Sequence, residues 1–259
     1  VEESFDIMNE IVSVCAAARM KGKLKRRWPL KYAIICVEKG LQKKIELLSE
    51  LLQIQLNVED YKIIEFENHE GILEMLEMKK SGAPVIPKIE LNRKTIGPKA
   101  KQNLGKLLEV FSETKPDDII QGLEKDNSFT FDVNGTKISL DTNDFIIEVD
   151  VQEGFTFSRR NNLIGIISTE RNEELMAKGL IKDLARRLQA LRKEMGYNPT
   201  DILNTASILD LDEESLSMIK NKTEEISFLV RVKQVNFTQT CKKYKDDDID
   251  GQKIRISVE

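Results

Sequence analysis

The sequence predicts an α+β fold, and three observations predict it. Apolar residues recur at helical spacing in several stretches, the longest ending at Gly196. Residues 128–168 switch to a period of two, broken by Asn134-Gly135, a pair that favours the positive φ angles of a tight hairpin. Between about residues 31 and 67 the order is strand, helix, strand, the signature of a βαβ unit or a split variant of it. The expected architecture is a short helical N-terminal segment, a βαβ-type α/β subdomain, an antiparallel sheet section and a C-terminal α/β subdomain built on one long amphipathic helix. The expected boundaries are 1–29, 30–114 and 115–259, with the sheet at 127–168 and the long helix at 171–195.

The elements follow in order. Phe5, Met8, Ile11, Val12, Cys15 and Ala16 lie at helical spacing from about Ser4 to Met20, with cations at the end where they oppose the helix dipole. Trp28-Pro29 stops that helix, because proline disfavours helical geometry in the residue before it. A strand is expected over residues 31–37. Leu41, Ile45, Leu48, Leu52 and Leu56 make one helical stripe, residues 61–67 alternate as a strand, and 70–80 form a second helix. Residues 85–91 follow as a short strand. A helix beginning near Gly97-Pro98 runs to about Glu113, and backbone amides at its start beside Lys99 and Lys101 favour anions. Strands are expected over 137–140, 145–151 and 155–168, with Arg159 to Asn162 as a basic turn. Gly196 caps the long helix and Asn198-Pro199 prevents its continuation. Strand, helix, a mixed helix-to-strand stretch and a last strand complete the chain, and residues 242–250 read as a charged loop.

On a helical wheel of about 100° per residue, Leu180, Leu184, Leu188, Leu191 and Met195 of the long helix fall on one face, and Lys178, Lys182, Arg186, Gln189 and Lys193 fall nearly opposite. That cationic face is either a solvated surface or a contact for a polyanion. The net charge of −4 argues against a globally basic nucleic-acid binder. The charge is nevertheless segregated: residues 19–27 hold six cations and no acid, and 88–106 hold six cations against the single Glu90. With the long helix these make three basic segments, which form either one polyanion surface or three separate faces.

Several function classes are disfavoured. No apolar run approaches the ~18–20 residues that span a bilayer, and the given residues carry no basic-then-apolar stretch of the kind a signal segment shows. The start at Val1, inside what reads as a helix, looks like a piece of something longer. Cys15, Cys36 and Cys241 are scattered, with neither a disulfide framework nor a zinc spacing, and fit a reducing cytoplasm. His69 is the only histidine, so acid-base triads have no obvious base. Phosphate-loop and nucleophile-elbow motifs are absent. Acid pairs such as Asp117-Asp118 and Glu173-Glu174 sit at helix starts, where they complement the dipole. A binding module is the expectation.

The run Glu174-Leu-Met-Ala-Lys-Gly-Leu-Ile-Lys-Asp-Leu-Ala-Arg-Arg-Leu-Gln-Ala-Leu-Arg-Lys-Glu-Met-Gly196, preceded by Ile167-Ser-Thr169, resembles the C-terminal region of isoleucyl-tRNA synthetases. Lys23-Leu-Lys-Arg-Arg-Trp-Pro-Leu30 is similar to the basic segment that closes that family's helical anticodon-binding domain, and Ile89-Glu-Leu-Asn-Arg-Lys-Thr-Ile-Gly-Pro-Lys99 resembles its Pro-Asn-x-Lys-x-Leu-Gly segment. The three come in the family's order. The arrangement is most like the archaeal and eukaryotic branch, which lacks the zinc-binding cysteines of many bacterial members. Ile167-Ser168 stands where Leu-Asp is usual, Leu91 replaces proline and Arg93 replaces an aromatic residue.

The resemblance implies a parent enzyme that esterifies tRNA with isoleucine using ATP and Mg2+. Neither a His-x-Gly-His nor a Lys-Met-Ser-Lys-Ser signature is present, so no catalytic residue, cofactor or metal is expected in this piece. The implied partners are the anticodon stem-loop of the isoleucine tRNA and the catalytic and helical domains of the same chain. Candidate RNA contacts are Lys23, Lys25, Arg26, Arg27 and Trp28, then Arg93, Lys94, Lys99 and Lys101, with Arg186 and Lys193 on the RNA backbone. Trp28 is also a candidate packing residue at a domain junction, and Arg159 and Arg160 are read as a hairpin tip. The alternatives are a module that docks the parent into a larger assembly, through residues 41–56 or acidic surfaces, and a scaffold bracing the helical domain.

Overall fold

A computed structural model describes residues 2–68, 71–238 and 243–259. The elements are α1 (Glu2–Lys21), β1 (Leu30–Glu38), α2 (Gln42–Glu46), α3 (Ser49–Leu56), β2 (Val58–Phe66), α4 (Gly71–Lys80), β3 (Val85–Leu91), α5 (Arg93–Ala100), α6 (Leu104–Glu113), α7 (Pro116–Asp126), β4 (Ser128–Val133), β5 (Thr136–Asp141), β6 (Phe145–Val151), β7 (Phe155–Arg160), β8 (Leu163–Ser168), α8 (Glu173–Glu194), β9 (Leu203–Leu209), α9 (Glu213–Ile219), α10 (Thr223–Val230), β10 (Val232–Asn236), β11 (Lys245–Ile249) and β12 (Gln252–Val258). The fold is α+β, as the residue patterns require. The chain forms two compact units, one of residues 1–22, 32–56 and 60–168, the other of 23–31, 57–59 and 169–259. No described helix is long and apolar enough to cross a membrane. His69 and Cys241, and the ends of the expected 70–80 helix and 242–250 loop, lie outside the described residues.

In the first unit the strands of the middle section are antiparallel as expected, but they do not share one sheet. Strands β4 and β5 pair with each other through the Asn134-Gly135 turn, where φ is 55° and 77°. β6 pairs with β3, Val85 opposite Val151, and β7-β8 extend β1 and β2 into a sheet of order β2-β1-β8-β7. Period-two patterning reports that a strand has one buried face, not which strand it meets. Arg159 and Arg160 therefore belong to the end of β7, and the turn is Asn161-Asn162.

Helix α1 packs on β7 and β8 through Met8, Ile11, Val14, Cys15 and Ala18. It ends at Lys21, followed by Lys23 at φ 54°, well before Trp28-Pro29. The close approach of helix to strand needs Gly165: a Cβ there would lie 2.8 Å from Cys15 Sγ and 3.3 Å from its backbone nitrogen. Backbone cannot move aside cheaply, so Gly165→Ala should cost about 1–3 kcal/mol. A urea unfolding midpoint equal to that of the unsubstituted chain would refute this.

Three further expectations change. The stripe from Leu41 to Leu56 spans two helices, not one; Leu48 N–H bonds Ile45 O at 2.9 Å, a tighter i→i+3 turn, and Leu47 is left 72% exposed. Proline does not open a helix at 97–98. Asn92 caps α5, accepting from Lys94 N at 3.2 Å, and Pro98 lies inside the helix, two residues from its end. Lys99 therefore stands in the last turn of a helix, and Lys101 just follows its end, in the 101–103 turn that leads into α6. Finally, residues 245–249 are a strand, β11, paired antiparallel with β12. Backbone pairing overrides the polar composition, and the acids Asp246 to Asp248 suit an edge strand.

The second unit is a mixed sheet of order β10-β9-β12-β11 with α8, α9 and α10. β9 and β10 are parallel neighbours joined through α9 and α10, which makes a βαβ crossover. Ile208, Ile254 and Ile256 meet Ala177, Ile181, Leu184, Leu188 and Leu191 of α8 in one core. Leu184, Leu188 and Leu191 of the expected stripe are buried and Leu180 packs half-buried against the same core, but Ile181 joins them fully buried and Met195 is 43% exposed. Asn172 caps the helix, accepting from Leu175 N at 2.8 Å. Its other end closes with Gly196 at φ 83°, Gly196 N–H on Lys193 O and Tyr197 N–H on Arg192 O, the paired bonds of a Schellman motif.

Candidate nucleic-acid interface

In the second unit the candidates Arg27 and Arg186 lie beside one buried acid. Asp183, in the middle of α8, is 1% exposed, and its carboxylate lies 2.7 Å from Arg27 Nε, 3.0 Å from Arg187 Nη1 and 3.9 Å from Arg186 Nη2. Arg187 also reaches Asp247 at 3.6 Å and donates to the Asp248 carbonyl. Two of the three basic segments are in this way brought together: the stretch Lys23–Lys31 lies against the middle of α8.

Trp28 is half-buried beside this acid. The Arg171 guanidinium lies 3.7 Å from its ring centroid and the Lys25 ammonium 4.9 Å, both within cation–π range. Its Cδ1 edge sits on Gly179, where a Cβ would approach to 2.9 Å. Lys25 pairs with Asp250. Burial, then the neighbouring Arg27 charge, nevertheless holds the Lys25 pKa below the usual lysine range, and burial does the same for Arg171.

Part of the cationic face of α8 is consumed internally. Lys178 bonds Glu59 at 2.8 Å and Glu174 at 3.0 Å, which raises its pKa; Lys182 bonds Asn57 Oδ1 at 2.9 Å, and Gln189 donates to Leu229 O at 2.8 Å. Arg186 keeps a side chain 63% exposed, and Lys193 is exposed with no described partner. Lys23 and Arg26 are exposed, and the side chain of Arg26 meets no described partner.

Arg93, Lys94, Lys99 and Lys101 belong to the first unit. Arg93 and Lys94 open α5 at its exposed surface, and Lys101, at φ 49°, follows its end. Lys99 is committed: it bonds Asp141 at 2.8 Å and the 1% exposed Asp144, and these two hydrogen bonds raise its pKa.

Patterning could not reveal Arg171, Arg187, Arg192 or Tyr197, because their roles depend on segments distant in sequence. Arg192 is 5% exposed, and its guanidinium donates to the carbonyls of Val230, Arg231 at 2.9 Å, Asn198 at 3.2 Å and Asp201 at 2.7 Å. Burial raises the Cys15 and Cys36 thiols to about 12, so neither is a ready nucleophile. Among the described residues no group of three or more His, Cys, Asp or Glu could hold a metal ion.

Fold and site together define a class: an α+β region in which arginines and lysines gather around Asp183 and Trp28. The comparisons with known proteins narrow it. Over its whole length the chain is similar to isoleucine–tRNA ligases, 26% identical over 260 aligned residues to that of Saccharolobus solfataricus and 24% over 262 to that of Archaeoglobus fulgidus. The ligase of Bacteroides fragilis is 25% identical over 202 residues, 78% of this chain. The chain spans only 25%, 22% and 16% of the length of these three relatives. No family model matches it. The resemblance to isoleucyl-tRNA synthetases carried by the three motifs is borne out: along its whole length the chain is similar to a part of such ligases.

Proposed function

We propose that this chain is the tRNA-binding C-terminal region of an isoleucine–tRNA ligase and engages the anticodon stem-loop of the isoleucine tRNA. The observation that carries the reading is similarity to isoleucine–tRNA ligases along the entire chain, over a quarter or less of their length. The exposed cations Lys23, Arg26, Arg186 and Lys193 support it, since Lys and Arg on phosphate supply most of the affinity for RNA. Isoleucine activation with ATP and Mg2+ is assigned to the remainder of the parent enzyme, in the cytoplasm.

Fluorescence anisotropy of the chain against isoleucine tRNA and a variant with an altered anticodon tests the reading. Arg26→Gln should weaken binding and reduce the slope of log K against log salt by about 0.7–0.9, the loss of roughly one phosphate contact. Equal affinity for both tRNAs would remove anticodon readout, and no binding at low salt would remove the RNA role. A docking or bracing module predicts no effect of Arg26→Gln.

A further inference from the structure

Beyond the C-terminal end of α8 lies a cavity of about 450 Å3 whose wall includes Arg192, Lys193, Tyr197, Pro199, Leu229 and Arg231. That volume is within the range of small-molecule sites, about 300–1,000 Å3. The lining carries three cations and no acid. Arg192 is spent on four backbone carbonyls and no described carboxylate neutralises it, so its full charge stays in the wall. Lys193 projects from the last turn of α8 without a described partner, and Arg231 makes a 3.2 Å bond to Pro199 O. Arg231 adopts φ 58°, a left-handed conformation that non-glycine residues seldom take, where α10 ends and β10 begins. The Schellman turn sets Tyr197 in the same wall, half-buried.

A site with excess positive charge, an aromatic ring and apolar flanks fits a ligand that is both anionic and flat. We propose that this cavity binds one nucleotide of an RNA strand, its base against Tyr197 and its phosphate on Lys193 and Arg231. The proposal rests on the RNA-binding reading and adds Tyr197 and Arg231, which the basic motifs do not contain, to the motif residues Arg192 and Lys193. Stacking on an aromatic ring tolerates any base, so the site contributes affinity more than sequence choice.

The test titrates the whole 259-residue chain with isoleucine tRNA. Three variants are compared with it: Lys193→Gln with Arg231→Gln, Tyr197→Ala, and a control of equal charge, Lys43→Gln with Lys137→Gln. The expected result is a tenfold or greater loss for the first, with the salt slope lower by about 1.4–1.8, and about fivefold or more for Tyr197→Ala. Lys193→Gln alone, at an exposed position, should show part of the loss even if Tyr197→Ala fails to fold. Unchanged affinity in the Lys193 and Arg231 variants while the unsubstituted chain binds tRNA would overturn the cavity site and leave the RNA reading intact. An equal loss in the control would overturn it as a bulk charge effect. Failure of the unsubstituted chain to bind tRNA would remove both. Adenosine and uridine monophosphate form a separate arm: binding abolished by Tyr197→Ala, with tRNA affinity unaffected, would make this a free-nucleotide site and overturn the RNA assignment.

Discussion

Asp183→Ala is expected to destabilise the second unit by about 3 kcal/mol, the lower end of the ~3–5 kcal/mol that follows loss of one partner from a buried ion pair. Asp is a mediocre helix former, and one buried in the middle of a 22-residue helix is there for its charge. Without it, Arg27 and Arg187 lose their shared carboxylate, and Asp247, 3.6 Å from Arg187, takes up only part of that charge. The Arg27 side chain is 35% exposed, so water screens part of the cost, whereas Arg187 at 11% has little such relief. Asp183→Asn keeps the shape and one acceptor and should lose less. Chemical unfolding of the three proteins checks the order, and a midpoint for Asp183→Ala equal to the unsubstituted chain would show the pairing to be energetically idle.

Phe131→Ala is expected to cost the first unit about 3–5 kcal/mol, as removal of a buried aromatic side chain usually does. Phe131 is 2% exposed, with Phe129, Phe111 and Phe145 at ring-centroid distances of 4.9, 6.2 and 6.4 Å, the first two edge-on. Each edge-to-face pair contributes about 0.5–1.5 kcal/mol beyond burial. The void would be lined by Leu140, Leu123 and Leu107, whose backbones are held by β5, α7 and α6 and cannot close over it freely. Phe131→Leu, which refills most of the volume, should recover more than half the loss. Equal unfolding midpoints for the Ala and Leu variants would contradict a packing origin.

These two residues stand for the two jobs the sequence performs here. Phe131 belongs to a core that any alternating strand of this composition would build. Asp183 and its arginines spend charge on positioning the Lys23–Lys31 segment, while Lys23, Arg26, Arg186 and Lys193 stay exposed. Counting lysines and arginines in a segment therefore overstates its free positive charge: Lys99, Lys178 and Arg27 are all neutralised by carboxylates of the protein itself.

Local patterns determined by themselves the strands at 85–91 and 145–151, the Asn134-Gly135 hairpin and the span of α8, because side-chain periodicity and turn chemistry act over a few residues. The three motifs likewise sufficed to indicate the isoleucyl-tRNA synthetase relation. Only the tertiary structure decided which strand each strand pairs, that β11 is a strand at all, and that α8 buries Ile181 more deeply than Leu180 in the core. It also decided that Trp28 lies against Arg171 and Gly179, and that Arg192 meets carbonyls from positions 198, 201, 230 and 231. The physical reason is common to all of these. Strand pairing and charge neutralisation depend on partners tens of residues away, so a side chain's local neighbours set its conformation while distant ones set its chemistry.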